Sequence, residues 1–123
     1  MTTAATLIVI GRVILGLFFV IAGIRNFMNF SARCAMETNY GFKLPAAATA
    51  LGFAVQLIGG LAVLAGVFTV WGAIGLILFL IAATAFFHNF VLFRGEAQQP
   101  HLYFTLVNCA LVGYCLMVIA TAA

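Results

Sequence analysis

The chain has 123 residues, 67% hydrophobic and 6% charged, and its formal net charge is +3. That length accommodates one domain, and so few charged groups do not cover the surface of a water-soluble globule. A soluble fold is excluded, and a mean hydropathy of +1.29 assigns the chain to the bilayer.

A helix needs about 20 apolar residues to cross the hydrocarbon core. The sequence supplies such a stretch four times, at 6–27, 44–68, 71–93 and 101–123, which predicts an all-α integral membrane four-helix bundle forming a single transmembrane domain over residues 1–123. The first span is preceded by no Lys or Arg and followed by no small-residue cleavage site, so it reads as a retained span rather than a signal peptide. The break at 28–43 collects Asn29, Ser31, Arg33, Glu37, Asn39 and Gly41, and Pro45 falls where the first turn of a helix tolerates it. A tight turn is expected at Thr69 and Val70. The last break, 94–100, is polar, with Gly95 as the expected helix stop and Pro100 opening the final span.

Four spans put both termini on one side and the two polar loops on the other. The loops carry Arg33, Lys43 and Arg94, with Arg25 at their edge, against Arg12 alone near the termini. The positive-inside rule therefore turns the loops to the cytoplasm of a multi-pass protein of the cell (plasma or inner) membrane. Arg12 and Arg25 are within reach of headgroups and read as membrane anchors. Trp71 marks the interface opposite a belt of Phe and Tyr on the loop side.

Polar groups are the informative ones in lipid, because leaving them unpaired there costs several kcal/mol, on the order of 2 to 7. Helical projection aligns Arg12, Gly16, Phe19, Gly23 and Asn26 on the first span, and Gly52, Gln56, Gly59, Val63 and Gly66 on the second. The small residues of these stripes predict a close packing seam. On the third span Thr84, His88 and Asn89 can face inward, and on the fourth His101, Thr105, Asn108 and Cys115 share a stripe. His88, Asn89 and Asn108 lie at similar depth, and Gln56, near the midplane, reaches the lower edge of their cluster.

Two readings of this cluster stay open. One is an interhelical hydrogen-bond network that fixes packing. The other is a ligand site, for a quinone carbonyl or a relayed proton, with imidazole as the side chain that titrates near neutral pH. No metal site is expected, because a loop separates His88 from His101 and no acid or cysteine completes a set. Cys34, Cys109 and Cys115 are odd in number and lack C-x-x-C spacing, which predicts free thiols. There is no Gly-rich phosphate loop or nucleophile elbow, and the positive charge follows from membrane orientation rather than from nucleic acid.

From GRVILGLFFVIAGIRNF (11–27) onward the chain resembles the DoxX family of small four-helix membrane proteins, and QLIGGLAVLAG (56–66), FHNFVLF (87–93) and NCALVG (108–113) fit in order. The Gly-Arg opening, the twin glycines Gly59 and Gly60, and the His88-Asn89 pair are the most specific parts. The family takes its name from a small subunit associated with an archaeal terminal quinol oxidase, and similar proteins are implicated in redox and oxidative-stress complexes. The resemblance thus implies an accessory or assembly subunit of a membrane complex, respiratory or redox in kind, more than an enzyme. Its partners would be the lipid bilayer, larger membrane subunits and further copies of the chain. A quinone is the only cofactor the resemblance suggests. Gln56 and Val107 stand where the resemblance implies an acid and a lysine in many members; if those two pair across helices, both charges are absent here without stranding either, which counts against a proton-coupled role resting on the acid. A small transporter remains the third class, disfavoured by the few polar residues available to line a path.

Overall fold

Apolar runs and their punctuation fix the elements of the computed structural model, which describes residues 2–122. Helix α1, Thr3–Met28, begins where the Thr2 side chain accepts the Ala5 amide at 3.0 Å. It ends where the Asn29 side chain donates back to the Arg25 carbonyl at 2.9 Å. A one-and-a-half-turn helix, α2 (Phe30–Ala35), follows and is joined to its neighbours by the packed rings of Phe27, Phe30 and Phe53. Helix α3, Ala46–Ala65, starts directly after Pro45, and α4, Thr69–Phe87, continues from it through a three-residue turn. Two single 3₁₀ turns, Phe90–Leu92 and Gly95–Ala97, lead into α5, Gln98–Ala122, with Pro100 in its first turn. The chain has four helices long and apolar enough to cross a membrane.

Three boundaries differ from the sequence expectation. The tight turn lies at Gly66 to Phe68 rather than at Thr69 and Val70, because Gly66 adopts the left-handed conformation at φ 75° and its amide closes α3 onto the Ala62 carbonyl. Phe68 follows it into the same region at φ 53°. The regular part of the third span stops at Phe87, where His88 leaves helical geometry and donates its amide to the Thr84 carbonyl at 3.0 Å. Gly95 therefore ends no helix; at φ 62° it shapes the connection instead. Ala123, the expected end of the fourth span, lies outside the described residues.

The helices pack in chain order, α1 on α3, α3 on α4 and α4 on α5, while α1 meets α5 only marginally. Small residues decide how closely the first two pairs approach. A Cβ on Gly16 would lie 2.5 Å from the Leu64 backbone nitrogen, and one on Gly60 would lie 2.9 Å from the Phe19 Cβ. On the adjacent side of α3, a Cβ on Gly59 would lie 2.9 Å from the Gly72 carbonyl. Neighbouring positions on a helix point about 100° apart, so Gly59 and Gly60 seat two different partners from one spot.

The buried core consists of Leu15, Phe19, Val63, Ala73, Leu76, Leu80, Cys115 and Val118. Most of it lies in the half of the bundle nearer the termini. Residues of α1, α3, α4 and α5 line a cavity where α1 and α5 barely touch.

Candidate functional site

Each polar side chain of the spans is placed by its helix, and Asn26, Gln56, Thr84, Thr105 and Asn108 find a partner on a neighbouring one. Asn26 of α1 donates its Nδ2 to the Gln56 Oε1 of α3 at 2.8 Å, and Gln56 is only 4% exposed. Asn108 of α5 donates its Nδ2 to the Thr84 hydroxyl of α4 at 2.8 Å. The Thr105 hydroxyl bridges the corner by donating to the carbonyls of His88 at 2.7 Å and His101 at 2.8 Å. In lipid such bonds are satisfied by neighbouring helices or not at all.

His88, Asn108 and Gln56 do meet, around a cavity of about 170 Å³ between α1, α3, α4 and α5 that is also lined by Phe19, Leu80 and Phe104. On the far side of α4 and α5 runs a larger groove of about 490 Å³, lined by Thr84, Ala85, Asn89, Thr105 and Cys109. Leu80, His88 and Asn108 line both spaces and so form the partition between them.

Asn89 belongs to a different network. Its amide donates to the Asn39 Oδ1 at 2.9 Å, its Nδ2 donates to the Tyr40 hydroxyl at 2.9 Å, and its Oδ1 accepts from the Val91 amide at 3.3 Å. The Asn39 amide in turn donates to the Phe86 carbonyl, and the rings of Tyr40 and Phe42 pack edge-on against Phe86. Asn89 thus latches the first polar loop over the end of α4. It lines the groove but makes no hydrogen bond to His88 or Asn108.

The anchors fall at the two ends. Trp71 is 73% exposed and Arg25 is exposed on the loop side. Arg12 is half-buried, and a Cβ on Gly66 would collide with its guanidinium, so this cation lies over the C-terminal, carbonyl-bearing end of α3.

A loop does separate His88 from His101 in sequence, yet the fold brings their rings together. Their centroids are 5.6 Å apart, with His88 stacked on Phe104 at 4.7 Å and His101 on Phe93 at 4.1 Å. The Nδ1 atoms of both imidazoles are buried without a hydrogen-bond partner. Sequence projection assigned these phenylalanines to an interfacial belt and missed the stack. The available signal was the shortness of the connection, which sets the end of one helix beside the start of the next.

Cys34, Cys109 and Cys115 are free thiols, and only Cys115 is buried. Among the described residues no group of three or more His, Cys, Asp or Glu could hold a metal ion. Comparison with curated proteins and with solved structures finds no match. The DoxX family model matches residues 7–89, from α1 through the His88-Asn89 corner and thus more than half of the chain. With four membrane-spanning helices and that match, this multi-pass membrane protein belongs to the DoxX family.

Proposed function

We propose that this protein is a non-catalytic accessory or assembly subunit of a larger redox complex in the plasma or inner membrane. One observation carries the reading: the polar side chains that are hydrogen-bonded inside the bundle, Asn26, Gln56, Thr84, Thr105 and Asn108, join helices to one another. Among the described residues no hydrogen bond links a hydroxyl or thiol to an imidazole ring or a carboxylate, as an activated nucleophile requires. The connections outside the spans are short, so a substrate site would have to be completed by another subunit. Extraction in a mild detergent followed by native mass spectrometry tests this. Co-migration with larger subunits is the expected result. A clean monomer, together with unchanged activity of every membrane oxidase after deletion of the chain, overturns the proposal.

A second reading is favoured by the partition at His88 and Asn108. A flat, carbonyl-bearing amphiphile of the quinone class would rest its head against these side chains and Gln56 and its tail in the groove that opens toward lipid. A photoreactive quinone analogue is expected to label α4 or α5, and to lose that labelling in the double variant His88→Ala with Asn108→Ala. Labelling that survives the double variant removes this reading.

A further inference from the structure

The cavity beside Gln56 is walled by hydrogen-bonding groups that the bundle leaves over. Gln56 is 4% exposed, and its Oε1 is taken by the Asn26 Nδ2 at 2.8 Å. Among the described residues its Nε2 has no acceptor, so a buried side chain keeps two N–H donors at the cavity wall. Asn108 donates its Nδ2 to the Thr84 hydroxyl at 2.8 Å, and among the described residues its Oδ1 accepts from nothing. Buried polar groups are seldom left this way, and a bound molecule would complete them.

The rest of the lining gives the shape of such a molecule. Phe18 and Phe19 of α1, Phe79 of α4 and Phe104 of α5 surround the space with phenyl rings, which favour a flat partner. A cavity of about 150 Å³ holds one benzene ring. At about 170 Å³, this one has room for one six-membered ring with its oxygens and not for a fused pair. Among the described residues no Asp, Glu, Lys or Arg lines it, which suits a neutral ligand. Phe18 and Phe104 are half-exposed, so the rim of the cavity reaches the lipid.

Building on the quinone reading above, we propose that this cavity binds a single hydroxylated ring, and so takes the hydroquinone form of a quinone-class amphiphile in preference to its oxidised form. A hydroxyl both donates and accepts. The hydroquinone therefore accepts from the Gln56 Nε2 and donates to the Asn108 Oδ1. The oxidised ring carries acceptors only. It satisfies Gln56 but leaves the Asn108 carbonyl without a donor, and a site that offers a buried acceptor discriminates against a molecule lacking the matching hydrogen. His88, which lines the same cavity, serves either form, because a neutral imidazole has one donor and one acceptor. The selectivity is one of binding alone, with no electron transferred at the site.

The test is calorimetric titration of the full chain in nanodiscs, with empty nanodiscs as the blank for partitioning into lipid. The probes are methylhydroquinone, kept reduced under nitrogen, and methyl-para-benzoquinone. Cys34→Ser and Cys109→Ser are introduced beforehand, because accessible thiols add to the oxidised ring and neither residue lines the cavity. The reduced form is expected to bind about 10-fold more tightly, or better, than the oxidised one. The fused naphthohydroquinone should bind more weakly than the single ring, again by about 10-fold. Asn108→Leu should bring the two redox forms within about 2-fold of each other, whereas Gln56→Leu should weaken both and keep the preference. If Asn108→Leu does not fold, the ratio in the chain with its asparagine decides. Equal affinity for the two forms, tighter binding of the oxidised form, a preference that survives Asn108→Leu, or equal binding of the fused ring overturns the proposal and leaves the broader quinone reading standing. No binding of either form overturns both.

Discussion

Asn26 and Gln56 show what a single hydrogen bond does when no water is available to replace it. Neither residue is charged, so the pair joins α1 to α3 without the cost of a buried ion. In a double-mutant cycle, Asn26→Leu and Gln56→Leu are expected to be coupled by about 0.6 to 1.7 kcal/mol, measured by unfolding in mixed detergent micelles. Additive effects would show that the bond contributes nothing. The same reasoning covers Asn108 and Thr84. The sequence placed Asn26 and Gln56 correctly on inward stripes, because helical period alone sets the face. It did not pair them with each other, because the partner of a side chain depends on rotation and depth of two helices at once. Asn89 lines the groove with His88 and Asn108 but spends its hydrogen bonds on Asn39 and Tyr40, contacts that helical projection does not give one residue past His88, beyond the last regular turn.

At the scale of elements, close approach depends on which face carries hydrogen in place of a methyl group. Gly16→Ala and Gly60→Ala should each destabilise the bundle by about 1 to 3 kcal/mol, since the added carbon meets backbone atoms that cannot move aside. Gly113, with nothing within 4 Å of its missing Cβ, serves as the control. There alanine should be neutral or stabilising by up to about 1 kcal/mol through helix propensity. A loss at Gly113 equal to that at Gly16 would contradict the seam. The latch at the end of α4 gives a second expectation. Asn89→Ala removes the bond to the Tyr40 hydroxyl and should raise hydrogen exchange of the Asn39 amide while leaving exchange in α3 unchanged. Equal exchange in parent and variant would show that the loop is held by its Phe86 contacts and the Asn89 amide, without the Asn89 side chain.

For the molecule as a whole, the charge distribution predicts an orientation that labelling can check. Cys34 is the only thiol outside the four spans, whereas Cys109 and Cys115 lie on α5. An impermeant maleimide should therefore modify Cys34 alone, and only in vesicles whose cytoplasmic face is accessible. Modification from the outer face would invert the topology. Composition by itself determined that the chain lives in lipid, how many times it crosses and which stripe of each helix turns inward, because these follow from apolar length and a 3.6-residue period. Tertiary structure decided what those inward groups meet. A left-handed Gly66 set the α3–α4 hairpin, side chains of four helices came together around the cavity beside Gln56, and an irregular corner folded His101 back onto His88. None of these is a property of one helix: each depends on the distance and rotation between segments, which the order of residues along a single segment does not encode.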